Sequence, residues 1–306
     1  MFTHEDIHGI VPPLITPLKY DGSFDGDSVP GLVDHVLGPE NYVHGVFVAG
    51  TLGEFPWLDA GTKNSMLRGT VDAVNRRIPV LYGATGRDTR ETQQFCEYGA
   101  ENGADGLVIA PFYFYPRDDG LVEVMTKVAK AASGLPIYLY SYDLLAEIGA
   151  NGVRGISPEM YRRLLDIENI WGIKVSSGIE KFPEYCSASQ EKGAETFMGN
   201  ERLVIEHPNR NQPNCVPSLA VIYPGLLRDL YDAVRSDDLE SARRFQDIVI
   251  ETGKSVYGPD VKAVGGIKHV LRLRNVISSA RTAGPELDLN EIEGAYATAF
   301  VTNFHY

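Results

Sequence analysis

The sequence predicts an α/β fold, a (β/α)8 TIM barrel with a C-terminal helical extension. Short apolar, β-branched runs recur along the chain at intervals of roughly 20 to 35 residues, as βα repeats do. Polar-faced stretches of helical length lie between them, and the runs stop after Pro224. The chain has 306 residues, enough for one barrel of about 250 residues and a short extension.

In order, the candidate strands are Ile10–Ile15, Gly45–Val48, Val80–Tyr82, Leu107–Ile109, Ile137–Tyr140, Ile170–Val175, Thr196–Met198 and Cys215–Ser218. Their apolar residues are continuous rather than alternating, the pattern of parallel strands buried on both faces. Asp59–Arg76 and Arg90–Asn102 have the polar face and length of connecting helices. Eight candidates favour a closed barrel over an open doubly wound sheet. Beyond Pro224, Leu226–Val234, Leu239–Thr252 and Val261–Leu273 read as consecutive helices, with a last one over Asn290–Val301. Asp238 can cap the second of these, and Asp288 or Asn290 the last. The division expected is a catalytic barrel over 1–225 and a helical extension over 226–306.

Composition narrows the function classes. With 28 basic against 41 acidic residues the net charge is -13, which argues against nucleic acid or an anionic membrane as partner. The three cysteines, Cys96, Cys186 and Cys215, are widely spaced, giving neither a disulfide framework nor a thiolate metal site. No apolar run reaches membrane-spanning length, and the first residues lack the pattern of a signal peptide. A cytoplasmic location is expected. His4 and His8 are four apart, but in the N-terminal segment a frayed, solvated end accounts for them better than a metal site does.

The residue of greatest chemical interest is Lys174, in Trp171-Gly172-Ile173-Lys174-Val175. Late in a barrel strand it would point toward the mouth, where active sites of this architecture lie. Desolvation there favours a neutral amine able to form a Schiff base; the alternative is a lysine reaching out to solvent. Gly50-Thr51-Leu52-Gly53-Glu54 follows a strand directly, and its two glycines permit a tight turn whose amides can bind an anion. A turn without a ligand is equally admissible. Tyr140 ends another run and could pass protons, with Tyr138 deeper on the same face and Leu139 and Ser141 turned away. The aromatic group Pro111-Phe112-Tyr113-Phe114-Tyr115-Pro116 would line a pocket or a subunit interface. Gly83-Ala84-Thr85-Gly86 is a turn without assigned function.

Together these motifs resemble the dihydrodipicolinate synthase/N-acetylneuraminate lyase family of pyruvate-dependent class I aldolases. The resemblance runs from Gly9-Ile10-Val11-Pro12-Pro13-Leu14-Ile15-Thr16-Pro17-Leu18 through the Gly50 turn, the aromatic group, Tyr140 and Gly172-Ile173-Lys174 to the helical tail. It implies that Lys174 forms an imine with the keto carbon of pyruvate or another 2-keto acid, that Tyr140 shuttles protons, and that Thr51 links Tyr140 to Tyr113 donated by a neighbouring subunit. It further implies that Gly50, Thr51, Leu52 and Gly53 receive the substrate carboxylate, with Ser218 in the binding site. No metal or organic cofactor is implied, and the assembly would be a homodimer or homotetramer.

The departures from the family pattern bear on specificity. Leu52 replaces a second Thr or Ser, and Leu145 stands where the synthases carry an arginine. The stretch from Tyr140 to Lys174 is longer than usual. The polar segment His207-Pro208-Asn209-Arg210-Asn211-Gln212-Pro213-Asn214-Cys215 would either bind a polyhydroxylated substrate near the mouth or be a rearranged loop. The aromatic group together with Tyr140-Ser141-Tyr142 looks most like the 2-keto-3-deoxygluconate aldolase branch. The function expected is therefore reversible cleavage of a 2-keto-3-deoxy sugar acid to pyruvate and an aldehyde. Alternatives are 4-hydroxy-tetrahydrodipicolinate synthase, an N-acetylneuraminate-type lyase, a hydratase-aldolase, and a non-catalytic barrel that binds a keto acid.

Overall fold

The computed structural model describes residues 2–39, 42–110, 119–142, 155–258, 262–284 and 287–304. Six parallel strands form one sheet in sequence order: β1 (Val46–Val48), β2 (Val80–Gly83), β3 (Gly106–Ile109), β4 (Ile137–Tyr142), β5 (Ile170–Ser176) and β6 (Glu195–Met198). Helix α1 (Val29–Val36) precedes β1, and α2 (Ala60–Val74), α3 (Thr89–Glu101), α4 (Asp119–Ala131), α5 (Pro158–Leu164) and α6 (Phe182–Lys192) connect successive strands. Aspartates preceding α2 and α3 start those helices: Asp59 accepts from the Thr62 amide and Asp88 from that of Glu91.

The two outermost candidate strands are not ladders. Ile10–Ile15 makes single bridges, Ile10 to Cys215 and Pro13 to Phe47, and Cys215 also bridges to Met198. The reason is local. Pro12, Pro13 and Pro217 have no N–H to donate, so pairing breaks off after one or two bonds. The bonds that do form include those from the Val11 amide to Cys215 O at 2.9 Å, from the Phe47 amide to Pro12 O at 2.9 Å and from the Val216 amide to Met198 O at 2.9 Å.

Two apolar cores result. The larger packs the outer faces of the strands against the helices. The smaller contains Val11, Phe47, Leu81, Val108, Tyr138, Tyr140, Phe197 and Val216, one or two side chains from each of seven segments, with β5 represented by the partly buried Trp171. After Pro224 the described residues form helices only: α7 (Pro224–Arg235), α8 (Leu239–Tyr257), α9 (Ala263–Leu273) and α10 (Glu291–Asn303). Asp238 caps α8 through the Ser241 amide, and Asn290 forms a capping box with Glu293 at α10. Among the described residues no helix is long and apolar enough to cross a membrane.

The polar segment 207–214 lies at the opposite end of the sheet from the mouth, which corrects its expected position. Asn214 donates to Glu195 at the start of β6 and accepts from the Gly9 amide at 2.6 Å, ahead of Ile10. Parallel strands all begin at one end, so a segment that leads into Cys215 must lie there. His4 belongs to the same end, stacked on Trp171 with ring centroids 3.5 Å apart.

Lys63 of α2 is buried, with no carboxylate of the described residues in contact. Its Nζ donates to Thr85 O at 2.8 Å and sits 3.6 Å from the centroid of Phe95. Desolvation brings its pKa down to about 7, against the pull of Glu91. The folded protein thus releases at about pH 7 a proton that the unfolded chain keeps to about pH 10. Between these values the unfolded state binds more protons, so the Lys63 contribution rises with pH. Urea unfolding of wild type and Lys63→Met should therefore diverge between pH 7 and 9, the wild type gaining roughly 2 kcal/mol relative to the variant. Parallel stability profiles would contradict this.

Candidate active site

β4 and β5 are in register such that Tyr140 lies beside Lys174, with Tyr138 beside Gly172 and Tyr142 beside Ser176. Period-two alternation sends this set inward, whereas Ile173 and Val175 join the outer core. Lys174 is 7% exposed, and its Nζ stands 4.1 Å from the Tyr140 ring centroid and 5.7 Å from that of Phe47. The amine thus sits against aromatic rings at the mouth end of its strand.

Two glycines allow close packing around the strand that carries that lysine. A Cβ on Gly172 would stand 2.5 Å from Glu195 O and 2.8 Å from the Tyr138 ring. One on Gly199 would stand 2.0 Å from Ser176 Oγ and 3.0 Å from Lys174 Cε. Sequence reasoning passed over Gly199. The signal available was a glycine directly following Thr196–Met198, at the mouth end of a strand.

Thr51 donates from Oγ1 to the Tyr140 hydroxyl at 3.4 Å, joining the turn after β1 to the strand that carries Tyr140. The turn is built differently from its expected form. Its left-handed residues are Ala49 (φ 55) and Glu54 (φ 64), not the glycines. Gly50 and Gly53 are needed for close approach instead: a Cβ would meet the Phe47 ring at 2.5 Å and Leu14 O at 3.1 Å respectively. The Glu54 amide donates to Thr51 O at 3.0 Å, and Thr16 Oγ1 donates to Gly53 O at 2.8 Å. Leu52 points into the larger core, so only its backbone is available at the turn.

Other expected residues fall elsewhere. Tyr138 is deeper, as expected, with its hydroxyl donating to His4 O at 3.4 Å; burial pushes its phenol well up. Ser141 faces away and accepts from the Ile156 amide. Ser218 starts a 3-10 turn and is hydrogen-bonded with Glu201 and Tyr257. Arg87, in the turn after β2, is a surface residue paired with Glu91. Tyr113, Arg117 and Leu145 lie outside the described residues.

The turn after β1 is held from the far end of the chain. Glu54 and Lys268 of α9 form an ion pair in which neither side chain is exposed. Burial pushes the Glu54 carboxyl up and the Lys268 ammonium down, each opposed by the other's charge. Sequence reasoning had no access to this contact across 214 positions.

An inward lysine on a strand, a tyrosine beside it and a threonine on that tyrosine's hydroxyl make up a carbonyl-condensing constellation. The comparisons with known proteins agree. The profile of the dihydrodipicolinate synthetase family matches residues 6–301. An uncharacterized DapA-like lyase of Halobacterium salinarum is 32% identical over 272 residues, 88% of this chain and 84% of that protein. A 4-hydroxy-tetrahydrodipicolinate synthase of Streptococcus pneumoniae is 34% identical over 239 residues, 78% of this chain and 74% of that one. Among solved structures, dihydrodipicolinate synthase from Bacteroides thetaiotaomicron superposes with a TM-score of 0.87 at 25% identity, covering 97% of this chain and 99% of that one. The fold is shared too with N-acetylneuraminate lyase from Mycoplasma synoviae, at a TM-score of 0.83 and 17% identity over 98% of both chains. These findings set aside a non-catalytic barrel: the chain belongs to the dihydrodipicolinate synthetase family of pyruvate-dependent class I aldolases and is a carbon–carbon lyase.

Proposed function

We propose that this enzyme cleaves a 2-keto-3-deoxy sugar acid reversibly to pyruvate and an aldehyde, with Lys174 as Schiff-base residue and Tyr140 as general acid and base. The observation that carries the mechanism is the β4–β5 register, which sets Tyr140 beside Lys174 while Thr51 donates to its hydroxyl. The substrate class rests on the aromatic motif, the Tyr140-Ser141-Tyr142 sequence and the absence of the synthases' arginine at Leu145.

In this reading the neutral Lys174 amine adds to the keto carbon and water departs, leaving a protonated imine. That cation accepts the electron pair released when the C3–C4 bond breaks, and Tyr140 takes the proton from the C4 hydroxyl as the aldehyde forms. The remaining enamine is protonated at C3, and hydrolysis returns pyruvate and free lysine. Thr51 keeps the Tyr140 hydroxyl directed at the reacting atoms. The amides of Gly50, Thr51, Leu52 and Gly53 receive the carboxylate as hydrogen-bond donors, local enough to act despite a net charge of -13 that solvent ions screen. Ser218 stays a weaker candidate for substrate contact, given its ties to Glu201 and Tyr257.

The same reading takes residues 1–225 as a (β/α)8 catalytic barrel, with the bridged segments at Ile10 and Cys215 completing the ring, and 226–306 as its helical extension. A homodimer or homotetramer would supply Tyr113 from one subunit to the Tyr140 relay of another, in a cytoplasmic enzyme that needs no metal or organic cofactor. Synthesis of 4-hydroxy-tetrahydrodipicolinate is the second reading, favoured by the activity named for the Streptococcus pneumoniae relative.

Borohydride reduction in the presence of pyruvate should add one pyruvate-derived group, mapped to the peptide containing Lys174 and absent without pyruvate. A folded protein that gives no adduct, or one on Lys63 instead, defeats the mechanism. Retro-aldol assays should then find turnover of 2-keto-3-deoxy sugar acids above that of N-acetylneuraminate, and above condensation of pyruvate with aspartate semialdehyde. The reverse order selects one of the alternative substrates.

Tyr140→Phe should lower kcat by at least about 100-fold, the usual scale of a lost proton-transfer group, while some trapping at Lys174 survives. Unchanged turnover would remove Tyr140 from the mechanism.

A further inference from the structure

The carboxylate of Glu54 accepts from Lys268 through Oε2 and from the Ala283 amide through Oε1 at 2.6 Å. Lys268 Nζ donates in addition to Arg281 O at 2.8 Å. All these partners belong to the C-terminal part of the chain, α9 and the segment that follows it. The same segment grips the first helical turn, where Ser278 donates to Asp25 from its hydroxyl and to Ser28 Oγ from its amide at 3.2 Å.

A wholly buried ion pair is a poor choice if stability alone is the purpose. Removing two charges from water cancels most of their attraction, and apolar residues of similar volume often serve as well. What it supplies is direction. The carboxylate is fixed on two sides, and its own backbone sits in the left-handed region at φ 64, with the amide bound to Thr51 O. Fixing Glu54 therefore fixes Thr51, whose hydroxyl reaches Tyr140.

We propose that Glu54 and Lys268 are positioning residues through which the C-terminal helices set the Thr51 turn for catalysis. The catalytic part rests on the aldolase reading above; the positioning part stands on the turn itself and is tested separately.

The test uses full-length Glu54→Gln, Lys268→Met and the double variant. It compares urea midpoints, amide hydrogen exchange over residues 49–58, kcat and KM for the retro-aldol reaction, and pyruvate trapping. Lys268→Met leaves a buried carboxylate without its counter-charge and should lower the midpoint; the double variant, with no buried charge, should recover most of it. In the double variant exchange at Thr51–Glu54 should nonetheless rise at least tenfold and kcat fall at least tenfold, with Lys174 still trapped by pyruvate. A double variant with recovered midpoint and wild-type exchange and kcat would overturn the proposal, leaving the pair a packing element. Where Lys268→Met alone does not fold, Glu54→Gln and the double variant carry the comparison. If wild type shows no trapping, the aldolase reading fails, and the exchange result still decides whether the pair holds the turn.

Discussion

A lysine that must stand inside a packed sheet needs space on both sides, and the site is arranged around that need. At Gly199 a methyl group would collide with Ser176 and the lysine stem, and at Gly172 with the β6 backbone and the Tyr138 ring. Their bare backbones let β4, β5 and β6 close around Lys174 while its amine rests on Tyr140 and Phe47. The register of β4 against β5 then determines which tyrosine is adjacent. A one-residue slip would turn Tyr140 outward, away from the amine.

Polarity in this interior is confined to its ends. Val11, Leu81, Val108 and Phe197 fill the middle, with Lys174, Tyr140 and Thr51 toward the strand C-termini. At the strand N-termini Asn214 and Glu195 form a second polar layer, where burial pushes the Glu195 carboxyl up and the Asn214 amide counteracts it. A net charge of -13 summed over the whole chain therefore says little about the polarity at either end of this interior.

What could be read from sequence follows from how local each cause is. Strands buried on both faces announce themselves as unbroken apolar runs, and capping aspartates mark helix starts, so Val80, Ile137, Asp59 and Asp238 were legible. The prolines at 12, 13 and 217 were equally visible, but how far they shorten a ladder depends on which amides face a neighbour. Gly50 and Gly53 were recognised as necessary for the wrong reason, because close approach by Phe47 and Leu14 is a tertiary fact. The 207–214 segment was misplaced although topology alone locates it, since whatever precedes a parallel strand lies at the starting edge. Lys174 and Tyr140 were found through the motifs around them; Glu54 was quoted within its motif without its partner, because Lys268 lies in a helix whose sequence carries no sign of the pairing.

The bridges joining Ile10 to Cys215 and Pro13 to Phe47 have a further implication for how the molecule comes into being. Until residue 215 has been made, the segment at 10–15 can pair on one side only, and β6 ends the sheet with an open edge. Contacts of such long sequence separation form late and slowly, and open parallel edges are where unfinished chains associate wrongly. During synthesis the nascent chain therefore holds a nearly complete sheet whose two free margins wait for one short stretch, Asn214 to Val216, to emerge and bring them together.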